Sequence, residues 1–307
     1  MTELRIGFIG LGNMGGRMTR RIVDAGIPVL GYDVREETVR DAGASVAPSV
    51  AAVAAGSDVV LLSLPDSRVV EKVVLGDDGV LAHIPSGAVI VDLSTSAPDS
   101  TRRLHDLFAA KGVGYLDAGI SGGAAAAEKG QLTLMVGGEA DALERVQPVL
   151  APFASNVFHI GETGAGHTTK LLNNFLNAIA LSATAEVMVA AKKAGLDLAT
   201  VLDVFNKSSG VNFATLNRFP KIITGDYLKG GLTNTLMLKD VTLYVELLAG
   251  LGVTSMNSAG PLASFGLARA LGYADEISNT VVDAIGDVSG GVRLHDAGDE
   301  GDGKADA

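Results

Sequence analysis

The feature that most constrains this chain is Gly10-Leu11-Gly12-Asn13-Met14-Gly15, set between an apolar run at Arg5–Ile9 and a helix-period segment at Arg17–Ala25. A strand, a tight turn and a helix in that order give glycines at these spacings separate tasks. Gly10 makes the turn, Gly12 lets the backbone approach a pyrophosphate, and Gly15 lets helix and strand pack closely. The helix N-terminus adds amide donors and the positive end of its dipole. A second apolar run, Val29–Tyr32, leads into Asp33. A carboxylate there accepts hydrogen bonds from the adenosine ribose hydroxyls and repels a 2′-phosphate. The expected cofactor is therefore NAD, with NADP left open because Arg35 follows two residues on. Gly10, Leu11, Gly12, Asn13, Met14, Gly15 and Asp33 are the expected contacts. The bland alternative, a glycine-rich turn that binds nothing, does not explain strand, motif, helix, strand and acid in sequence.

Strand and helix signals keep alternating. Val59–Leu62 ends in Ser63-Leu64-Pro65-Asp66, and Ala88–Val91 leads into Asp92-Leu93-Ser94-Thr95-Ser96. A helix at Pro98–Lys111, a strand at Val113–Leu116, a strand at Gln131–Val136, a helix at Ala140–Leu150 and a strand at Ala154–Ile160 complete the pattern. It predicts a doubly wound, Rossmann-type α/β domain, on which ligands bind at the carboxyl ends of the strands. Leu64-Pro65 and Ser94-Thr95-Ser96 fall on that edge.

Asp117-Ala118-Gly119-Ile120-Ser121-Gly122-Gly123 contains G-x-S-x-G, with His159 and His167 downstream, so a serine hydrolase has to be weighed. Gly122-Gly123 is a poor helix start, and a hydrolase has no use for the dinucleotide motif. The better reading is a turn whose Ser121 hydroxyl and Gly122 and Gly123 amides hold a carboxylate.

Gly164-Ala165-Gly166-His167-Thr168-Thr169-Lys170-Leu171-Leu172-Asn173-Asn174 opens a long helix, expected over about 166–194, that is apolar nearly all round. Such a helix is buried on most sides. The i, i+4 spacing puts Lys170 and Asn174 on one face near its start. A snorkelling lysine and a capping asparagine are the bland reading of the pair. Beyond this helix the strand pattern stops, and helices are expected at Asp197–Ser208, Ala214–Ile223, Thr235–Leu251, Ser258–Leu271 and Asp275–Val288. The expected organisation is a dinucleotide-binding domain at 1–163, an all-α substrate and oligomerisation domain at 164–295, and a disordered acidic tail at 296–307. Lys170 then falls where the domains meet, and clefts between domains favour pockets.

Composition narrows the function classes. The net charge is -11, of which the segment 296–307, with five acids and one lysine, supplies a large share. An acidic body disfavours nucleic acid and anionic membranes as main partners. The chain has no cysteine, which removes thiol chemistry and Cys-type zinc sites, and no metal site is expected. The opening Met-Thr-Glu-Leu-Arg is unlike a signal peptide, and Glu186, Lys192 and Lys193 make the long helix a poor membrane span. A soluble cytoplasmic protein is the default expectation.

Taken in order, these motifs resemble the β-hydroxyacid dehydrogenases, the family of 3-hydroxyisobutyrate dehydrogenase and tartronate semialdehyde reductase, with 6-phosphogluconate dehydrogenase as a larger relative. Four segments carry the resemblance: Gly10 to Gly15, Asp117 to Gly123 with Gly130 and Leu132, Gly164 to Asn174, and Lys239-Asp240. It implies that Lys170 is the catalytic acid/base and that Asn174 and Ser121-Gly122-Gly123 hold the substrate. It further implies that Leu64, Pro65, Thr95 and Lys239 touch the cofactor and that Asp240 lies close to the site. The chain departs from the family pattern at Gly119, usually proline, at Ala126, usually glycine, and at Leu232, in place of a frequent phenylalanine.

The implied reaction oxidises a small carboxylate-bearing β-hydroxy acid to its semialdehyde, or runs in reverse. It needs a carbinol held against the nicotinamide and a group that moves the hydroxyl proton. A free lysine, with a pKa near ~10.4, is a poor base at neutral pH. Burial, the helix N-terminus and a second cation such as Lys239 would lower it. His167, one turn before Lys170, is the weaker candidate. Two rivals are an NADPH-dependent semialdehyde or imine reductase on the same scaffold and a non-catalytic NAD-binding sensor. The apolar long helix suits packing against another subunit, in a homodimer or homotetramer.

Overall fold

The computed structural model describes residues 4–228 and 230–295. Eight strands form one sheet: β1 (Ile6–Ile9), β2 (Val29–Tyr32), β3 (Ser45–Val46), β4 (Val59–Leu62), β5 (Val89–Asp92), β6 (Gly114–Ser121), β7 (Leu132–Gly137) and β8 (Ala154–Gly161). Their order is β3-β2-β1-β4-β5-β6-β7-β8, with every neighbouring pair parallel except β6 and β7. The strand order reverses at β1, where a doubly wound sheet leaves its ligand crevice. β1, β4 and β5 are short runs rich in Val, Ile and Leu, buried at every position. Apart from Asp92 at the end of β5, these are unbroken apolar runs, which suit parallel strands covered by helices on both faces. One core layer gathers Phe8, Met18, Ile22, Leu61, Val91 and Leu134, and the other gathers Val60, Leu62, Ile90, Phe108 and Tyr115.

β6 departs from the expectation in length. Its first half pairs in parallel with β5 as far as Asp92–Asp117. It then continues from Ala118 to Ser121 along antiparallel β7, beyond the end of β5. The segment that reads as a turn in sequence is therefore largely strand. Gly122 follows at φ +124°, and a helix begins at once at Gly123, running to Glu128. The expectation that two glycines would not start a helix is corrected. Gly122 lies outside the helix, where its positive φ is suited to glycine.

The chain divides by compactness into two units, 1–172 and 173–307. The sequence placed the boundary at 163/164, at the start of the long helix; the structural division falls within that helix, which spans Ala165–Lys193. The acidic segment 296–307 lies outside the described residues. In the second unit, Phe175, Ala178, Leu181, Ala185 and Met188 of the long helix pack with Leu202, Phe219, Met237, Phe265 and Val282. By length and composition this helix is apolar enough to cross a membrane, but over half of its most apolar window is buried. It is the core helix of that unit. Leu172, Leu176 and Val187 remain exposed along it.

Two expected helices are broken. The segment 214–223 forms Phe213–Asn217 and Phe219–Ile222, separated at Arg218. Pro220 has no amide hydrogen to continue the ladder there. The last segment becomes helical only at Ser278, as a short 3₁₀ turn before Val281–Val288. Its beginning is a turn and a bend tied to the helix start at Asn234, with a bridge from Ile277 to Thr233 and with the Glu276 carbonyl accepting from the Asn234 backbone amide.

Candidate active site

The glycine motif leaves a cradle with two different kinds of wall. A Cβ on Gly15 would sit 1.9 Å from the Gly10 carbonyl oxygen, so this glycine serves the packing of helix on strand. A Cβ on Gly12 would meet no atom within 4 Å. Gly12 thus faces open space, the space a bound pyrophosphate needs for close backbone approach. Asp33 stands just past the end of β2. Its Oδ2 accepts from the Leu11 amide at 2.8 Å and its Oδ1 from the Arg35 amide at 3.0 Å. A carboxylate has about four acceptor positions, so hydroxyl donors can still bind it. The motif, the open cradle and the placed acid fit a dinucleotide. Asn13 is held by Arg17, whose Nη1 donates to the Asn13 carbonyl at 2.6 Å.

A buried network, not foreseen from the sequence, fixes the next two loops. The Leu64 amide donates to Ser94 Oγ at 3.0 Å, tying the loop after β4 to the loop after β5. Asp92 at the end of β5 accepts from the Ser94 amide at 3.0 Å, the Tyr115 hydroxyl at 3.1 Å and the Ser96 hydroxyl at 3.3 Å. Burial, reinforced by the adjacent Asp92 carboxylate, holds the Tyr115 hydroxyl well above its ordinary pKa, so it remains a donor. Leu64, Pro65 and Thr95 lie on these loops. The sequence signal for the network is an acid and serines just past a wholly apolar strand.

The overhanging half of β6 positions the start of the long helix. Asp117, fully buried, accepts from the Gly164 amide through Oδ1 and from the His167 amide through Oδ2, each at 2.7 Å. These are donors that a helix start leaves unpaired, and a carboxylate there also meets the positive end of the dipole. A Cβ on Gly166 would lie 2.3 Å from the Met135 carbonyl oxygen and 2.4 Å from that of Asp117, so the helix backbone rests directly on β6 and β7. Gly119 makes the same kind of approach, since a Cβ there would be 2.5 Å from Lys170 Cβ. Lys170 is buried in consequence, its stem against β6 two residues before Ser121.

His167 is also buried, with Nδ1 2.7 Å from Thr101 Oγ1 and Nε2 3.3 Å from the Asp92 carbonyl. Both ring nitrogens are engaged, which makes it a structural tie and leaves it unsuited to moving substrate protons. The same engagement denies Ser121 a base at His167, and His159 Nε2 is bound to the Gly138 carbonyl at 2.7 Å. Strand, turn and helix do surround Ser121, yet neither histidine is available as a triad base.

In the second unit, Asn174, Lys239 and Asp240 come together. Asp240 is buried, and its Oδ2 accepts from Asn174 Nδ2. Its Oδ1 lies 3.1 Å from Lys239 Nζ, an ion-pair contact without hydrogen-bond alignment. The carboxylate holds the Asn174 side chain by its NH₂ end, and the carboxamide oxygen accepts from Asn173 Nδ2 at 3.4 Å with one further acceptor position. Among the described residues no cluster of acids and histidines could hold a metal ion.

A doubly wound sheet with a dinucleotide cradle at its switch point, and a buried lysine at the carboxyl edge, defines a nicotinamide-dependent oxidoreductase. Residues 5–161 match the family model described as the NAD binding domain of 6-phosphogluconate dehydrogenase. Residues 164–284 match the model described as NAD-binding of NADP-dependent 3-hydroxyisobutyrate dehydrogenase. The chain belongs to the β-hydroxyacid dehydrogenase family, whose members include 3-hydroxyisobutyrate dehydrogenase. It is 39% identical over 282 residues to an NAD-dependent L-serine dehydrogenase of Pseudomonas aeruginosa, covering 88% of this chain and 94% of that protein. It is 38% identical over 247 residues to 2-(hydroxymethyl)glutarate dehydrogenase of Eubacterium barkeri, covering 80% of this chain and 82% of that protein. The solved structure of Mycobacterium tuberculosis 3-hydroxyisobutyrate dehydrogenase with L-serine is similar at a TM-score of 0.81 and 30% identity, over 92% of this chain and 98% of that one.

Proposed function

We propose that the chain oxidises a small β-hydroxy acid, bearing a hydroxymethyl group beside the carboxylate-bearing carbon, to its semialdehyde, and runs the reverse reduction with the same residues. The observation that carries this reading is Lys170, buried and pressed through Gly119 onto β6 just before Ser121-Gly122-Gly123, within the unit that carries the dinucleotide cradle. The Gly10–Gly15 turn and Asp33 would hold the nicotinamide dinucleotide, which would supply the hydride acceptor for oxidation and the donor for reduction. Lys170 Nζ removes the hydroxyl proton in oxidation and delivers one to the carbonyl oxygen in reduction. The Ser121 hydroxyl and the Gly122 and Gly123 amides hold the substrate carboxylate, and Asn174, fixed by Asp240, orients the hydroxyl.

The relatives that act on L-serine and 2-(hydroxymethyl)glutarate support this substrate class, since both acids carry a hydroxymethyl group next to the carboxylate-bearing carbon. Asp33 supports NAD, and the description of the second family model makes NADP the comparison to run. The exposed Leu172, Leu176 and Val187 of the long helix support a homodimer or homotetramer. The deciding experiment follows nicotinamide absorbance with L-serine, 3-hydroxyisobutyrate and 2-(hydroxymethyl)glutarate, for wild type and Lys170→Ala. Turnover in wild type, falling by roughly 10²–10⁴-fold in the variant, is expected for loss of a general acid/base. Near-normal turnover in the variant would remove Lys170 from the role.

A further inference from the structure

Among the described residues, the second unit contains a largely covered cation without a counter-ion. Arg218 sits between the two helices Phe213–Asn217 and Phe219–Ile222 and is largely covered. Its Nη1 donates to Asn279 Oδ1 at 2.7 Å and its Nη2 to Asn177 Oδ1 at 3.0 Å, both neutral carboxamides. One face of the guanidinium lies over the ring of Phe213, 5.8 Å from its centroid. Among the described residues no carboxylate forms an ion pair with it, whereas Lys239 of the same unit has one and Arg293 has two.

A guanidinium carries five N–H donors in a planar fork matched to a carboxylate, and two carboxamides leave part of that fork unfilled. Burial without a compensating charge pushes the Arg218 pKa down to about 10. Proteins rarely cover a charge without pairing it, so a site of this composition is completed by an anion. Phe213 is exposed, so the stacked face of the fork lies beside an open surface. Asn177 also places the site along the long helix. It is three residues, or about 4.5 Å of helix rise, beyond Asn174. An anion on Arg218 would thus lie about one turn along the helix from the carboxamide that orients the substrate hydroxyl.

We infer that Arg218, with Asn177 and Asn279, binds a second carboxylate of the substrate, which makes the preferred hydroxy acid a short dicarboxylate. The inference rests on the proposed function, because it takes the hydroxyl-bearing end to be held at Asn174. Asn177 and Asn279 are positioning residues: they hold the fork flat and leave its remaining donors for the ligand.

The test compares 3-hydroxyisobutyrate with 2-(hydroxymethyl)glutarate, which shares the hydroxymethyl carboxylate head and adds a second carboxylate. Wild type should favour the dicarboxylate in kcat/KM by roughly 10- to 100-fold, the worth of a charge-assisted hydrogen-bonded pair. Arg218→Gln should lose that preference, mainly through KM, and keep its rate on the monocarboxylate within about threefold. Arg218→Lys keeps the charge without the fork and should fall between the two; it also serves if the glutamine variant does not fold. No preference in wild type, or an equal loss on both acids in the variants, would overturn the inference and leave Arg218 a structural tie. If wild type turns over neither acid, titration calorimetry with glutarate decides the arginine site separately, and the proposed function fails if L-serine is not turned over either. Glutarate binding that weakens about tenfold or more in Arg218→Gln would keep the anion site. Absence of glutarate binding, or binding indifferent to Arg218, would remove it.

Discussion

Substituting Gly12 and Gly15 by alanine separates the two tasks of the glycine motif. At Gly12 the new methyl meets nothing within 4 Å, and Gly12 is not at positive φ. The apo fold should therefore keep its stability, within the roughly 0.5 kcal/mol usual for a harmless substitution. The same methyl stands where a pyrophosphate approaches the backbone. Losing two charge-assisted hydrogen bonds there, at about 1.5–3 kcal/mol each, weakens the cofactor by roughly 10²–10⁴-fold. At Gly15 the methyl would be 1.9 Å from a backbone oxygen, which cannot swing aside as a side chain can. Overpacking of that kind costs about 1–3 kcal/mol before any ligand is added.

The assay is thermal unfolding with and without NADH. At 100 times the wild-type Kd, the ligand should stabilise wild type by about 2.7 kcal/mol, or roughly 5–11 °C in Tm. At that same NADH concentration Gly12→Ala should shift by no more than about 2 °C, from an apo Tm equal to wild type. Gly15→Ala should start roughly 2–12 °C lower without NADH. A full NADH shift in Gly12→Ala would mean that the dinucleotide does not approach there, and the cradle assignment would fall. An apo Tm lowered in Gly12→Ala would contradict the open space itself.

Further expectations concern single carboxylates. Wild type should prefer NAD to NADP in kcat/KM, and Asp33→Asn should narrow the ratio by roughly 10- to 100-fold, since charge-assisted bonds to the ribose are weakened and repulsion of the 2′-phosphate is removed; an unchanged ratio would show that Asp33 does not face the ribose. Asp117→Asn should lower stability by about 1.5–3 kcal/mol, because an amide can accept from only one of the Gly164 and His167 N–H groups, and turnover should fall with it as the helix start carrying Lys170 shifts; a stable variant of normal kcat would refute this support. The Asp58 carboxyl is held down to about 2, first by its side-chain hydrogen bonds from Arg5. A carboxylate with a lowered folded pKa stabilises the fold above its unfolded value and loses that contribution as pH falls through the folded one. The stability gap between wild type and Asp58→Asn, measured by urea unfolding, should accordingly close between about pH 4 and pH 2.

The shape of the candidate cofactor cradle was legible because its physics is local. Gly10, Gly12, Gly15 and Asp33 lie in one strand–turn–helix–strand unit, and each is placed by its neighbours in sequence. The alternation of short apolar runs with helices was enough for the doubly wound sheet. The long helix was legible from the composition of residues 166–194 and its glycine boundaries. The extension of β6 was not, because Asp117, Gly119, Gly122 and Gly123 are turn-forming residues by propensity. Only pairing with antiparallel β7 makes strand out of 118–121. The break at Arg218 shows the opposite case, in which a helix-period pattern continues across a residue that the fold uses for something else.

What placed Lys170 was a backbone approach that no local pattern reports. Gly119 on β6 admits the lysine stem, Gly166 sets the helix directly on the β6 and β7 backbones, and Asp117 fastens the helix amides. These contacts join segments about thirty to fifty residues apart in the chain, and each needs a residue chosen for what it lacks or for what it accepts. A glycine motif for a cofactor is compact because the phosphate is met by one turn of chain. The support of Lys170, the proposed acid/base, is dispersed because it must align a helix with a strand edge. The same small residue thus serves both halves of the site, as a recognisable motif at Gly10–Gly15 and as unremarkable single positions at Gly119 and Gly166. The second pair is the one whose loss would move the Lys170 amine proposed as acid/base, since Gly119→Ala forces a methyl to within 2.5 Å of Lys170 Cβ.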